Sequence, residues 1–302
     1  MTKVKSKKLI PLSYDLLFKK VFGDYEHKER AASLVSVCLN IPYEEIVNNI
    51  EILPNDKKLR NKKDKRQEQD VVVRIVLSIN QRVNLEMNMN YNETNKNRNL
   101  TYLALMFSNQ LKNKEDYKLL EPCIQINFNT VFTDTINNLF YDEYMLRNKY
   151  GNTLTNMLKI ININIEECRN ILYNKDISEY NKKELEIIKY GALMMETDYD
   201  KLKKVLEEFP MGEDILDSVE EYSKDEDFSY LYYDAEKNRR GILNGSITEA
   251  REEGKLEGIK LGELKGINKR NIEIAKELVK NGVDVNIISK STGLSVEEIN
   301  KF

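Results

Sequence analysis

The stretch DVVVRIVLSINQRVNLEMNMN, residues 70–90, carries two acids inside segments that are otherwise rich in Val, Leu and Met. Two apolar, β-branched runs on either side of SINQ predict a β-hairpin. In the second run the apolar residues alternate with Glu86 and Asn88, so these polar side chains share one face of the strand. Asp70 opens the first strand and Glu86 lies near the end of the second, so the hairpin is expected to bring both acids to its open end.

Two carboxylates that converge in an apolar setting repel each other, and a divalent cation would relieve that repulsion. A three-residue turn, Ser78 to Asn80, would place Asp70 opposite Asn88. Glu86 would then be the diagonal neighbour of Asp70, within reach of a bridging ion. Mg²⁺ binds one or two carboxylates, several waters and substrate phosphate oxygens, and it can activate a bound water and polarise a phosphodiester. From the spacing alone, solvated acids at a sheet edge are the better interpretation, because Asp followed by Glu-x-Asn is a weak pattern.

The composition excludes several other kinds of chemistry. The chain of 302 residues contains one histidine, His27, which rules out most His-dependent catalysis, including a Ser-His-Asp triad. Its three cysteines, Cys38, Cys123 and Cys168, are far apart and show no zinc-site spacing, so we expect reduced core residues of a cytosolic protein. No apolar run approaches the roughly 18 residues of a membrane span, and the first residues lack the apolar segment of a secretory signal. We therefore expect a cytoplasmic protein with no membrane partner.

The net charge of −3 argues against a uniformly basic surface that coats nucleic acid, but it does not exclude a local basic patch. The run KKLRNKKDKR, residues 57–66, has seven basic residues and one acid, hence a local charge of +6. A solvated loop is the more common meaning of such a run. Contact with phosphate groups is the alternative, and Lys62 and Lys63 are the candidates for it.

Hydrophobic periodicity predicts an α/β fold up to about residue 165. The order is helix, helix, strand, hairpin, helix, strand, strand, which predicts a mixed sheet flanked by helices. From about residue 166 onward the pattern is helical. The predicted helices before that point cover residues 14–23, 28–40 and 93–113, and the strands outside the hairpin cover 49–55, 121–129 and 157–165.

Glycines recur every four residues in the C-terminal part of the chain, at Gly254, Gly258, Gly262 and Gly266, and would share one face of a helix. Each costs about 1 kcal/mol relative to Ala in a helix, so a stripe of them is unusual unless something packs closely against it. A low-stability helical linker is the equal alternative. If the stripe pairs with another helix, the C-terminal helices would make the protein a homo-oligomer.

The last thirty or so residues predict three short helices, with Ser295 and Glu298 as a capping box ahead of the final one. Helices of this kind form a helix-turn-helix or, at least as often, an ordinary helical hairpin. The pattern leaves both alternatives open.

Several segments, taken in order, resemble the core of PD-(D/E)XK nucleases, and more specifically the transposase-related nucleases of the recombination-promoting (Rpn) type. YDLLFKKVFG is similar to that family's N-terminal Asp-x-x-Phe-Lys motif, with Asp15, Phe18 and Lys19 matching. QDVVVRI contains the motif aspartate, Asp70, and VNLEMN matches the family's apolar-Glu-x-Gln strand through Glu86.

Further along the chain, RNLTYLALMFSNQL matches the helix that follows in the family, with Arg98, Tyr102 and Gln110 in place. The glycine-rich repeat and the TGLSVEEI tail also resemble C-termini that are common in the family. The resemblance covers most of the chain and is weakest over residues 166–240.

The resemblance implies a fold and a division of the chain. The fold class is α/β, with a restriction-endonuclease-like mixed sheet flanked by helices and a helical C-terminal region. The implied function is that of a metal-dependent DNA endonuclease that hydrolyses phosphodiester bonds, of a kind associated with mobile elements and recombination. The implied parts are a nuclease-like core at residues 1–165, a helical region at 166–244, and a glycine-rich helix with a helical tail at 245–302.

For the site, the resemblance implies that Asp70, Glu86 and the backbone carbonyl of Met87 bind Mg²⁺ or Mn²⁺. Asn88 would position the attacking water, and Asp15 would add a further acid. The matching residues implied to contact DNA are Arg98, Tyr102 and Gln110, and the basic run adds Lys62 and Lys63 as candidates for that contact.

One departure from the family pattern concerns Asn88, which stands where the family has Gln and the wider superfamily has Lys. Asn has the amide chemistry of Gln on a shorter side chain and cannot act as a cation. It could still hold a water, or it could mark a weakened site. The alternative function is therefore a degenerate, catalytically inactive nuclease fold that acts as a DNA- or protein-binding module.

Overall fold

The computed structural model describes residues 8–54, 70–89, 93–111, 116–130 and 139–302. The chain divides into two compact units, Met1–Tyr232 and Tyr233–Phe302. Within the described ranges, no helix combines the length and the apolar character that crossing a membrane requires. All three cysteines are buried and have free thiols, as expected for core residues.

The strands of the first unit are β1 Ile50–Leu53, β2 Val71–Ile75, β3 Gln81–Asn88, β4 Cys123–Asn129, β5 Tyr141–Met145 and β6 Leu158–Asn164. In the described part of the chain they form one six-stranded sheet with the order β1-β2-β3-β4-β6-β5. β1, β2 and β3 are antiparallel neighbours, β3, β4 and β6 are parallel, and β5 runs antiparallel to β6. The sheet is mixed, as predicted, and β3 joins its antiparallel and parallel halves.

Three predicted helices begin within one residue of observed helices, but the predicted helix at 93–113 ends at Ser108 in the structure. The predicted helices at 14–23, 28–40 and 93–113 correspond to the first, second and fourth helices. The helices are α1 Asp15–Phe22, α2 Lys28–Leu39, α3 Tyr43–Val47, α4 Glu93–Ser108, α5 Ile165–Asn174, α6 Lys182–Leu193, α7 Tyr199–Leu206, α8 Gly212–Lys224, α9 Glu226–Lys280, α10 Val285–Thr292 and α11 Val296–Ile299.

Side-chain alternation along the strands separates the two faces of the sheet. On one face, residues such as Leu85 and Ile126 pack with α1, α2 and α5 to α8 in the main hydrophobic core. On the other face, Val72 packs with Leu103 and Met106 of α4 in a smaller cluster. The helices that follow residue 166 therefore share a core with the sheet, and the sheet is covered on both sides.

The periodicity did not predict β5 or α3. The β5 sequence YDEYM carries two acids between its aromatic residues, and its side chains are half-buried or exposed because β5 is an edge strand. A short edge strand with charged residues lacks the buried apolar alternation on which strand prediction depends. The five-residue α3 is too short to show a helical repeat.

The predicted register of the β2–β3 hairpin is wrong by two residues. Val71 pairs with Leu85 and Ile75 with Gln81, so residues 76–80 connect the strands instead of a three-residue turn. Asp70, one residue before Val71, consequently lies across from Glu86 and not from Asn88. Side chains alternate with a period of two, so a slip of two residues changes the partner but keeps each side chain on its predicted face.

The second unit contains the end of α9 together with α10 and α11. Ala275, Ile288, Leu294 and Ile299 form its buried apolar cluster. Gly293, with φ of 73°, ends α10, and the predicted capping box opens α11. Two of the three short helices predicted from the sequence are confirmed as α10 and α11, whereas the first is the end of the continuous 55-residue α9.

Candidate active site

Asp70 and Glu86 lie side by side on neighbouring strands and are almost fully buried, with 8% and 2% of their surfaces exposed. The backbone N–H of Asp70 donates to Glu86 Oε1 at 3.1 Å. In return, the backbone N–H of Met87 donates to Asp70 Oδ2 at 2.7 Å. Each carboxylate is thus fixed by the backbone of the other acid's strand, and the predicted convergence of the two acids is confirmed.

Lys19 of α1 binds Asp70, the first acid of the pair. Its Nζ lies 2.9 Å from Asp70 Oδ1 and 2.9 Å from Asp15 Oδ2, so one ammonium group bridges two carboxylates. Burial lowers the pKa of Lys19, but the neighbouring carboxylates of Asp70 and Asp15 outweigh burial and raise that pKa overall. Lys19 is therefore a fixed positive charge within the site.

Asn88 is buried and its amide is engaged by three side chains. Its Nδ2 donates to Asn129 Oδ1 at 2.9 Å, and its Oδ1 accepts from Asn95 Nδ2 at 3.2 Å and from Arg98 Nη2. Arg98 also lies over the ring of Tyr102, with 5.9 Å between guanidinium carbon and ring centroid. Asn88 therefore holds Arg98 near the acid pair.

A row of buried amides, here called the amide row, leads across the sheet from Glu86. Asn84 Nδ2 donates both to Glu86 Oε1 at 3.1 Å and to Gln125 Oε1 at 2.8 Å. Gln125 Nε2 donates to Asn127 Oδ1, and Asn127 Nδ2 donates to Asn162 Oδ1, each at 2.8 Å. These residues face α4, because Asn84 lies directly across from Val72.

The predicted strands at 121–129 and 157–165 contain the segments CIQINFN and KIININ, but the amide row was not predicted from them. The signal was present: an Asn or Gln occurs at every second position, which places these amides on one face. Buried amides in a strand require hydrogen-bond partners on adjacent strands. A run of them at matching register predicts such a row.

The predicted DNA-contact residues do not all lie together. Arg98 and Tyr102 are near the acids, and burial followed by the charge of Glu86 raises the pKa of the Tyr102 phenol. Gln110, in contrast, donates to the carbonyl of Glu121 at 2.9 Å and accepts from its N–H at 2.8 Å. Glu121 precedes β4, whereas Glu86 pairs with Asn127 near the end of that strand. Gln110 therefore binds α4 to the sheet at the end away from the acids.

Two further predictions concern the basic run and the backbone carbonyl of Met87. The basic run at residues 57–66, with Lys62 and Lys63, lies outside the described residues. The side chain of Met87 is buried in the main core, and its N–H serves Asp70. Metal binding by the Met87 carbonyl stays a prediction.

The surroundings of the two acids disfavour their ionised forms. Burial, with a further contribution from Asp15, raises the pKa of Asp70 to about 6, although Lys19 opposes the change. Burial and the charge of Asp70 raise the pKa of Glu86 to about 8, against opposing contributions from Asn84 and Arg98. The positive charges of Lys19 and Arg98 do not offset these effects, and a bound cation would favour the ionised forms further.

The donor set fits a hard divalent cation. Across the described residues, no group of three or more His, Cys, Asp or Glu side chains is arranged so that it could hold a metal ion by itself. Mg²⁺ does not need such a cage, because it binds through one or two carboxylates and completes its shell with water and phosphate oxygens. Asp70 and Glu86, on adjacent strands and with raised pKa values, provide that number of ligands.

Comparison with known families agrees with this fold. The family model of PD-(D/E)XK nuclease family transposases matches residues 12–244, and the chain belongs to this family. The model of the C-terminal helix-turn-helix domain of the Rpn/YhgA-like nuclease family matches residues 268–302. This second match decides between the two alternatives for the tail in favour of a helix-turn-helix. Searches of curated proteins and of solved structures gave no significant match.

The raised pKa values predict how pH affects stability without metal. A carboxyl group whose pKa is raised by folding stabilises the folded state while protonated, below its unfolded pKa of about 4. That contribution is lost as the pH rises through the folded pKa of about 8 for Glu86. In EDTA, the melting temperature of the wild type should therefore fall between about pH 5 and pH 8, and Glu86→Gln should show a smaller fall.

The control for this measurement is Glu45→Gln, which removes an exposed carboxylate of α3. It should follow the wild-type curve. Parallel curves for the wild type and Glu86→Gln would contradict the raised pKa of Glu86.

Proposed function

We propose that this protein is a metal-dependent DNA endonuclease that hydrolyses phosphodiester bonds at the site formed by Asp70 and Glu86. The observation that carries the proposal is the pairing of these two buried carboxylates on neighbouring strands in a chain of the PD-(D/E)XK nuclease family. The raised pKa values mean that the ionised forms of the two acids are disfavoured, and a cation bound between them would stabilise those forms.

In this proposal Asp70 and Glu86, with the carbonyl of Met87, hold Mg²⁺ or Mn²⁺. The bound ion would lower the pKa of a water and neutralise charge on the phosphate. The reciprocal hydrogen bonds between the strands keep the carboxylates in place before any ligand binds. Arg98, held by Asn88, is positioned to contact a phosphate oxygen.

The alternative is a catalytically inactive nuclease fold that retains DNA or protein binding. Asn88 favours this alternative, because its amide replaces a Gln or Lys and is already engaged by Asn129, Asn95 and Arg98. Of the two N–H groups on the Asn88 amide, one already donates to Asn129, which leaves a single N–H to orient a water. Retention of the acid pair and of Arg98 favours the enzyme.

DNA is the proposed partner of the second unit as well, because its tail matches a helix-turn-helix model. The face of α11 is poorly suited to phosphate contact, since Glu297 and Glu298 are exposed on it. The late part of α9 is better suited, because four exposed lysines lie within about 60° of one another at 3.6 residues per turn. These are Lys265, Lys269, Lys276 and Lys280.

Self-association through the C-terminal helices is a further proposal, carried by the glycine spacing. A Cβ added at Gly254, Gly258, Gly262 or Gly266 would meet no heavy atom of the described residues within 4 Å, so the stripe is open. The exposed Ile259 and Leu261, which flank the stripe, could add apolar contact. Pairing of two chains would bring two nuclease sites to one duplex.

The nuclease assignment predicts metal-dependent cleavage. The wild type should nick or linearise supercoiled plasmid with Mg²⁺ or Mn²⁺ and should be inactive in EDTA. Asp70→Asn and Glu86→Gln should each lower the rate about 100-fold or more, because each removes a charge that holds the metal. Asp217→Asn, which alters an exposed acid of α8, is the control and should cleave like the wild type.

Equal cleavage by the wild type and both site variants would identify a contaminating nuclease. A wild type that binds DNA and never cleaves it would support the inactive module instead.

The lysine face predicts a change in the salt dependence of DNA binding. Affinity for a short duplex, measured by fluorescence anisotropy in EDTA, should fall with salt, and Lys269→Gln should reduce the slope by about 0.9. Lys260→Gln removes the same charge from the opposite side of α9 and should leave the slope unchanged. Equal slopes for the two variants would contradict a contact through this face.

The glycine stripe predicts that truncation after residue 244 reduces the assembly size. Light scattering at tens of micromolar should give a smaller species for the truncated protein than for the full chain. Circular dichroism should show that the first unit, which ends at Tyr232, remains folded. If both proteins are monomers, the stripe is a linker and the self-association proposal is wrong.

A further inference from the structure

Lys19 has no role in the proposed function, yet it makes a direct ionic contact with a proposed metal ligand. Its ammonium group lies 2.9 Å from Asp70 Oδ1 and 2.9 Å from Asp15 Oδ2. The other oxygen of Asp70, Oδ2, accepts the N–H of Met87. A cation that approaches Asp70 therefore meets an oxygen to which a positive charge is already bound.

The position of Lys19 is fixed by the apolar residues of α1. Phe18 and Phe22 are fully buried, with their ring centroids 5.0 Å apart, and Phe18 also lies 5.9 Å from the ring of Phe128 on β4. At the end of the helix, a Cβ on Gly23 would lie 2.6 Å from the Lys19 carbonyl oxygen and 3.4 Å from Val71 Cγ2. The absence of a Cβ lets α1 end closely against β2, next to Asp70.

The charges around the site show what Lys19 contributes. Asp15, Asp70 and Glu86 are three acids that would repel one another if all were ionised. Lys19 bridges two of them, whereas Arg98 is bound to Asn88 on the side of Glu86. A buried carboxylate without a nearby positive charge is strongly disfavoured. Lys19 therefore replaces, for Asp70, part of the charge that a metal ion would bring.

We propose that Lys19 is a positioning residue that acts as the built-in counter-ion of Asp70 and sets the affinity of the site for divalent cations by competing with them. This inference rests on the proposed metal site at Asp70 and Glu86. Without metal, Lys19 stabilises the ionised carboxylate of Asp70 and fixes its position. With metal, the repulsion between Lys19 and the ion weakens binding, which keeps the ion exchangeable.

The test compares Mn²⁺ binding by full-length variants, measured by titration calorimetry at pH 8.5 with no DNA present. Lys19→Met keeps the length of the side chain and removes its charge, so it should bind Mn²⁺ about tenfold more tightly than the wild type. Its melting temperature in EDTA should be lower, because Asp15 and Asp70 lose their shared partner. Lys19→Arg keeps the charge and should bind Mn²⁺ with near wild-type affinity.

Lys20→Met is the matched control, because it removes the same charge from the adjacent, exposed position of α1. It should change neither the Mn²⁺ affinity nor the melting temperature in EDTA. Lys19→Gln is the second uncharged variant and replaces Lys19→Met if that protein does not fold.

The outcomes separate this proposal from the metal site on which it rests. Mn²⁺ affinity that is unchanged or weaker in the uncharged variants, with normal binding by the wild type, would overturn the role of Lys19 and leave the metal site intact. A wild type that does not bind Mn²⁺ at millimolar concentration would overturn both.

Discussion

The close approach of two buried carboxylates is the constraint on which the arrangement of the first unit depends. Ionised groups that lose their water are stable only where hydrogen bonds and opposite charges replace it. Asp70 and Glu86 receive both: Lys19 comes from α1, Asn84 from β3 and Arg98 from α4. Because these partners belong to separate elements, the hairpin, the first helix and the fourth helix must all be in place before the two acids can coexist.

The apolar core provides that placement. The strand residues that alternate with the polar ones face α1, α2 and the later helices, so each short segment contributes both packing and chemistry. Met87 illustrates this, since its side chain is buried in the core while its N–H donates to Asp70. Helices α5 to α8 carry no proposed site residue, but they cover the core side of the sheet and thereby keep α1 against β2 and β3.

The alternation of polar and apolar residues in the sequence predicted the features that depend on residues close together in the chain. The alternation around Glu86 identified the polar face of β3, and this face survived a register error because the error was an even number of residues. β5 was missed because an exposed edge strand with acids has no buried repeat. The contact of Lys19 with Asp70 could not be derived from spacing, since it depends on how α1 packs against the hairpin. The amide row was missed because its partners lie on strands far apart in the sequence, although the alternation that forms it was visible.

The amide row has a direction that follows from its donors and acceptors. From Asn84 through Gln125 and Asn127 to Asn162, each side chain donates an N–H to the next oxygen, so reversing any one amide would set like atoms against each other. Asn84 donates both to Gln125 and to Glu86, so Glu86 is the acceptor at the other end of the row. An ionised carboxylate accepts without donating and so completes this polarity. Burial favours a proton on Glu86, while the ordered dipoles of three strands favour its removal, and the acid is held between these two opposing preferences.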